Sequence, residues 1–200
     1  DHIQRMFVLL GDSPEAAARN ARSVMQIETD LAKASLTRVE KRDPYKLYHM
    51  LSRAQLTALT PSFDWDSYFS ASDASAIQDI NVTEPAFFKT METELKSQTL
   101  DQWKTYLRWH LAHAVAPFLS APFVQANFDF YSKYLRGVPQ MQPRWKRCVG
   151  ATDGALGEAL GAEFIKTKFT PEAKARLNQL IDNLFAVMKV HLQTLACMSA

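Results

Sequence analysis

Residues 170–195, TPEAKARLNQLIDNLFAVMKVHLQTL, decide the fold class. Thr170 offers a hydroxyl to an orphan backbone N–H. Pro171 loses nothing at the first helical position, and Glu172 meets the positive end of the helix dipole. From there Leu177, Leu180, Ile181, Leu184, Met188, Leu192 and Leu195 recur three and four apart, the spacing of one stripe along a helix of about seven turns. His191 lies beside that stripe and reads as packed rather than catalytic.

The same punctuation runs outward through the chain. Ser13-Pro14-Glu15 opens a segment to about Leu36, with Val24, Ile27, Leu31 and Ala34 on one face. Ser52-x-x-Gln55 and Thr99-x-x-Gln102 have the spacing of capping boxes. Trp103, Tyr106, Leu107, His110, Leu111 and Ala114 mark a stripe before Pro117. Phe123, Phe128, Tyr131 and Leu135 mark the next, ended by Gly137 and Pro139. Another long helix is expected from Arg144 to near Phe169. The breaks are short, and the best strand, Ile80-Asn81-Val82, is too short to build a sheet. The expectation is an all-α fold, an irregular multi-helix domain with several long amphipathic helices and little or no sheet, spanning residues 1–200 as a single domain.

Composition agrees. Of 200 residues 47% are hydrophobic and 22% charged, ordinary for a globular chain able to bury a sizeable core. Net charge is +2, too small a field to gather nucleic acid. Six glycines exclude a turn-rich β fold and Gly-rich phosphate loops. No apolar run approaches the ~20 residues of a transmembrane segment, and no leader is read before the first helix. Cys148 and Cys197 lack the paired spacing of a zinc site. Either they bond, which needs Cα atoms within about 7 Å, or they are two separate buried thiols.

No active site assembles from the residues. His110 and His113 stand at i and i+3, yet Leu111-Ala112 lie between them, and no carboxylate occurs between Asp101 and Asp129. A partly buried histidine beside an exposed one is the simpler reading. His2 and His49 are isolated. Gly154, Gly157 and Gly161 share a helix face with Gly150 nearby, which points to close approach of another helix or loop. Arg144-Trp145-Lys146-Arg147 reads as a solvated basic face, and Asn81-Val82-Thr83 fits a glycosylation acceptor. His-Glu-x-x-His, Gly-x-Ser-x-Gly and the phosphate loop are absent.

The order of longer strings goes further. Leu31-Ala32-Lys33-Ala34-Ser35-Leu36-Thr37-Arg38, Arg42-Asp43-Pro44, Phe63-Asp64-Trp65 and Tyr106-Leu107-Arg108-Trp109 resemble the neprilysin family of zinc metallopeptidases. Asn127-Phe128-Asp129-Phe130-Tyr131, Pro143-Arg144-Trp145-Lys146-Arg147-Cys148 and Leu156-Gly157-Glu158-Ala159-Leu160-Gly161 carry the likeness most sharply. The resemblance implies an interior part of a helical N-terminal region. Its partner is a thermolysin-like C-terminal catalytic domain of the same polypeptide, the two enclosing a cavity for peptide substrates. In that family zinc is held by His-Glu-x-x-His and a downstream Glu-x-x-x-Asp, which no position here matches. No catalytic or metal residue carries over, the substrate-binding residues stay unknown, and zinc is a cofactor of the parent only. An extracytoplasmic location, periplasmic, secreted or membrane-anchored, is implied by the same likeness. Leu195-Ala196-Cys197-Met198 departs from the family where Trp usually precedes Met, and the chain reads as part of a longer one. The alternative is a stand-alone helical binding or scaffold module without catalytic activity.

Overall fold

The structure is a computed structural model and describes residues 1–195. Cys197 and the departure at Ala196–Met198 lie outside the described residues, as does any Cys148–Cys197 pairing. The chain divides into two compact units, residues 1–139 and 140–200.

In the first unit α1 (His2–Leu9) and α2 (Pro14–Ala34) are joined by a turn at Gly11, whose φ of +96° suits a residue without Cβ. Ser13 caps α2 by accepting from the Ala16 N–H at 3.2 Å. Two short 3-10 turns, Glu40–Arg42 and Pro44–Leu47, lead to strand β1 (Met50–Ser52) and α3 (Arg53–Leu59). Then follow α4 (Trp65–Ala71), β2 (Asp79–Asn81), α5 (Pro85–Ser97), α6 (Leu100–Val115) and α7 (Ala121–Asn127). Among the described residues the fold is all-α apart from one antiparallel ribbon, with Leu51 opposite Ile80. The strand candidate therefore does pair, with a partner that sequence reading left unassigned.

Helix α2 is the hub, packing on α1, α5 and α6, while α1 also touches α6 and α7. Their shared core holds Met6, Phe7, Ala17, Val24, Trp109, Ala116 and Ala126. A second cluster joins Leu56, Phe69 and Val82, where the fully buried Thr60 hydroxyl accepts from the Trp65 indole N–H at 2.7 Å.

The face that α6 buries differs from the stripe read in sequence. Trp109 and Ala112 point inward, whereas Leu107 and Leu111 are 63% and 67% exposed. Apolar residues occupy both sides of this helix, and Trp109 joins Phe7 in the core, so spacing placed Tyr106 against the core correctly but put Leu107 and Leu111 on the buried face when they lie outside it. Both capping boxes form as read. The Thr99 hydroxyl accepts from the Gln102 N–H at 3.3 Å, and the Gln102 side chain accepts from the Thr99 N–H at 2.8 Å. Thr99→Ala should remove about 1 kcal/mol of stability, seen as a few degrees in thermal unfolding, with Thr99→Ser near wild type.

After α7 the backbone widens into a π-helix, Phe128–Tyr134, closed by Gly137 at φ +69°. The second unit contains α8 (Arg144–Lys168) and α9 (Pro171–Thr194). Thr170 caps α9 through the Ala173 N–H, as read. Neither helix buries a residue among those described. The stripe of α9 is open to solvent, with Leu184 61% and Met188 58% exposed, and His191 is exposed rather than packed. Cys148 is likewise an exposed thiol, not a buried one.

Candidate functional site

The densest polar and aromatic chemistry lies where α1, α2, α6 and the π-helix meet. Glu28, facing α6 from α2, is the centre. Tyr106 donates its hydroxyl to Glu28 Oε1 at 3.0 Å, and His110 Nε2 stands 2.9 Å from the same oxygen. The Tyr106 and His110 rings are one turn apart on α6, with centroids 4.4 Å apart. Burial first, then the hydrogen bond to Glu28 and its charge, push the Tyr106 hydroxyl up to about 12, so it stays a donor at any physiological pH.

Beside it, His2 stacks flat on Phe130 at 4.6 Å and meets Trp109 and Tyr131 edge-on. His113 stacks on Trp109 and leans on Tyr131. His2 Nε2 and His113 Nδ1 are buried with no hydrogen-bond partner among the described residues. π-helices are uncommon and concentrate at functional sites. Here the wide turn carries Phe130 and Tyr131 onto His2, while Asp129 holds Arg5 at 3.0 Å.

Burial, followed by the charges of His113 and Arg5, pulls the His2 imidazole from 6.5 down to about 4. A base lowered in the folded state leaves the unfolded chain holding more protons between those two values. Stability then rises with pH through that window and levels off above it. The charges acting on His2 are His113, Arg5 and the amino terminus at Asp1, with Asp129 lining the same pocket, so His2→Phe should flatten the dependence above the carboxylate range. Denaturation midpoints at pH 5 and 7, with and without the substitution, check this.

A second locus is a cavity of about 300 Å³ lined by Leu36, Glu40, Lys46, His49, Glu84 and neighbouring residues. Lys41 donates to Glu84 at 2.8 Å and the Leu36 N–H at 2.6 Å, which together hold the Glu84 carboxyl below its ordinary value. Its charges are thus largely paired internally. The basic string at the start of α8 is solvated, with Lys146 lying over the Trp145 ring at 5.4 Å.

His110 and His113 are both half-buried; His110 meets Glu28, whereas His113 stacks on Trp109. Among the described residues no group of three or more His, Cys, Asp or Glu is placed to hold a metal ion. No described helix is long and apolar enough to cross a membrane. The Glu28 centre escaped sequence reading because its members are 78 and 82 residues apart. The only trace was that Tyr106 and His110 share a stripe.

The comparison with known proteins places this helical geometry in a family. Residues 1–200 match the model of the N-terminal domain of peptidase family M13. The chain belongs to peptidase family M13. Endothelin-converting enzyme 1 of Rattus norvegicus is 27% identical over 203 residues, which cover 99% of this chain and 27% of that protein. Among solved structures, the zinc metalloprotease Zmp1 of Mycobacterium tuberculosis in complex with an inhibitor superposes with a TM-score of 0.83. It is 32% identical, covering 98% of this chain and 30% of that one. The same protease in its open state gives 0.81 at 33% identity, over 97% of this chain and 30% of that one. The M13 chain described here thus spans between a quarter and a third of these relatives. It is the N-terminal domain of a zinc metallopeptidase family, as the neprilysin-like strings implied. Its described residues hold no group of three or more His, Cys, Asp or Glu placed to bind zinc.

Proposed function

We propose that this M13 domain forms part of the wall of a closed substrate chamber in a zinc metalloendopeptidase that hydrolyses small peptides. The observation that carries the reading is similarity along the entire chain, at 31–33% identity, to a protease known with an inhibitor bound and in an open state. Zinc polarisation of the peptide carbonyl and activation of water then belong to a thermolysin-like C-terminal domain of the same polypeptide. This domain contributes exclusion: a rigid helical wall admits only chains small enough to enter. Both units, 1–139 and 140–200, serve as one helical region in this role. The exposed apolar residues of α6 and α9 support it, since faces of that kind mark interaction surfaces. By the same likeness the parent works outside the cytoplasm and opens to admit its peptide.

The test is to express the parent polypeptide and this 200-residue chain side by side. The parent is expected to bind zinc stoichiometrically and to cleave short peptides, with rates falling steeply once substrates become folded proteins. The isolated chain is expected to bind no stoichiometric zinc and cleave nothing. Equal rates on short peptides and folded proteins would remove the chamber reading. Zinc-dependent cleavage by the isolated chain would remove the division of labour.

A further inference from the structure

We propose that α8 is a jointed helix that bends at Leu156, between Gly154 and Gly157, and that this joint serves the opening of the substrate chamber. The inference rests on the chamber reading above. Leu156 has φ −130° and ψ 22°, outside the helical region, within an element otherwise helical from Arg144 to Lys168. Helix kinks of this kind arise at identifiable causes, glycine among them. Here two glycines flank the non-helical residue, with Gly150 and Gly161 one turn further out.

The sequence suggested that these glycines admit a close neighbour. Among the described residues of its own unit the structure shows no such neighbour. A Cβ built at Gly150, Gly154 or Gly161 meets nothing within 4 Å, and at Gly157 it meets only Asp153 Oδ1, at 3.7 Å, from the same helix. None of the four has the positive φ that alanine resists. Among the described residues of this unit, nothing therefore crowds an alanine at any of the four positions. What glycine supplies is backbone freedom, at a helix-forming penalty of about fivefold per residue relative to alanine. Gly154 and Gly157, bracketing the one place where this 25-residue helix leaves helical geometry, make a soft segment between two stiffer arms, 144–153 and 158–168. Hinges in domain closure have this construction: a few positions absorb the change in φ and ψ while the flanking elements stay rigid.

The test uses the full parent protein carrying Cys148→Ser and Cys197→Ser, with spin labels at Lys146→Cys and Lys166→Cys, one on each arm. The expected result is a broad distance distribution that narrows when a peptide-like inhibitor binds. Gly154→Ala with Gly157→Ala should give one narrow distribution without inhibitor and slow amide exchange around 152–160 about twenty- to thirty-fold. It should also lower kcat while leaving Tm unchanged or raised. Gly150→Ala, outside the joint, should leave the distribution broad. Two results overturn the joint. One is a narrow, inhibitor-insensitive distribution in the parent. The other is a fall in Tm on the double substitution with unchanged distances, which would assign the glycines to close packing instead. A parent that cleaves no peptide defeats the chamber reading separately, because the label distances still report whether α8 bends.

Discussion

Phe7→Ala should lower the stability of the first unit by about 3–5 kcal/mol, the largest effect expected of any single side chain here. Phe7 is fully buried at the centre of the main cluster, with Met6, Val24, Trp109 and Ala126 around it. Four helices meet there, so no single backbone segment can collapse into the space left behind, and the cavity term adds to the lost transfer energy. The Arg108 guanidinium also lies 5.5 Å over the ring, so truncation removes a cation–π contact as well. Phe7→Leu, which keeps most of the volume, should lose less than half as much. Denaturant titration followed by tryptophan fluorescence reads the effect, because Trp109 sits in the same cluster. A change under 1 kcal/mol for Phe7→Ala would show that the α1–α2–α6 core is not packed as described.

Asp12→Ala is the second, with an expected loss of about 2–3 kcal/mol. Arg108 holds both carboxylate oxygens of Asp12 at 2.8 and 3.0 Å and also donates to the Leu10 carbonyl at 3.2 Å. Asn20 adds a further bond to the same carboxylate at 2.8 Å. The Asp12 side chain is mostly buried, whereas Arg108 remains 40% exposed. Screening of the arginine keeps the effect below that of a fully buried pair. Removing the carboxylate strands two donors at once, which is why the aspartate matters more than its exposed partner. The pair also ties the α1–α2 turn to α6 across 96 residues. Arg108→Ala with Asp12→Ala should therefore lose clearly less than the sum of the singles, and a double-mutant cycle measures that coupling. Strict additivity would mean that the pair is too well solvated to hold the turn.

The features legible in the sequence were those set within one turn of helix. Ser13, Ser52, Thr99 and Thr170 cap their helices through the N–H groups that spacing assigns, because a cap involves residues three positions apart and nothing else. The long helices α2 and α9 followed from those caps and from the apolar period, whereas α8 starts after Pro143 without a side-chain cap. Other features needed partners distant in sequence. Leu51 pairs with Ile80, Glu28 gathers Tyr106 and His110, and the π-helix delivers Phe130 to His2. No local pattern encodes such meetings, since they depend on how α1, α2 and α6 cross.

By itself, then, the sequence determined that this is a helical M13 N-terminal domain without the zinc signature, because helix periods, caps and the order of family strings are properties of a linear chain. Only the tertiary structure decided which face of α6 is interior. Trp109 occupies the core while Leu107 and Leu111 remain outside, although all three are apolar and lie within one turn. It also decided that α8 breaks helical geometry at Leu156 and that no neighbour within its unit crowds the glycines beside it. Burial is a relation between elements, and an amphipathic pattern specifies that a helix has an interior face without specifying what will cover it.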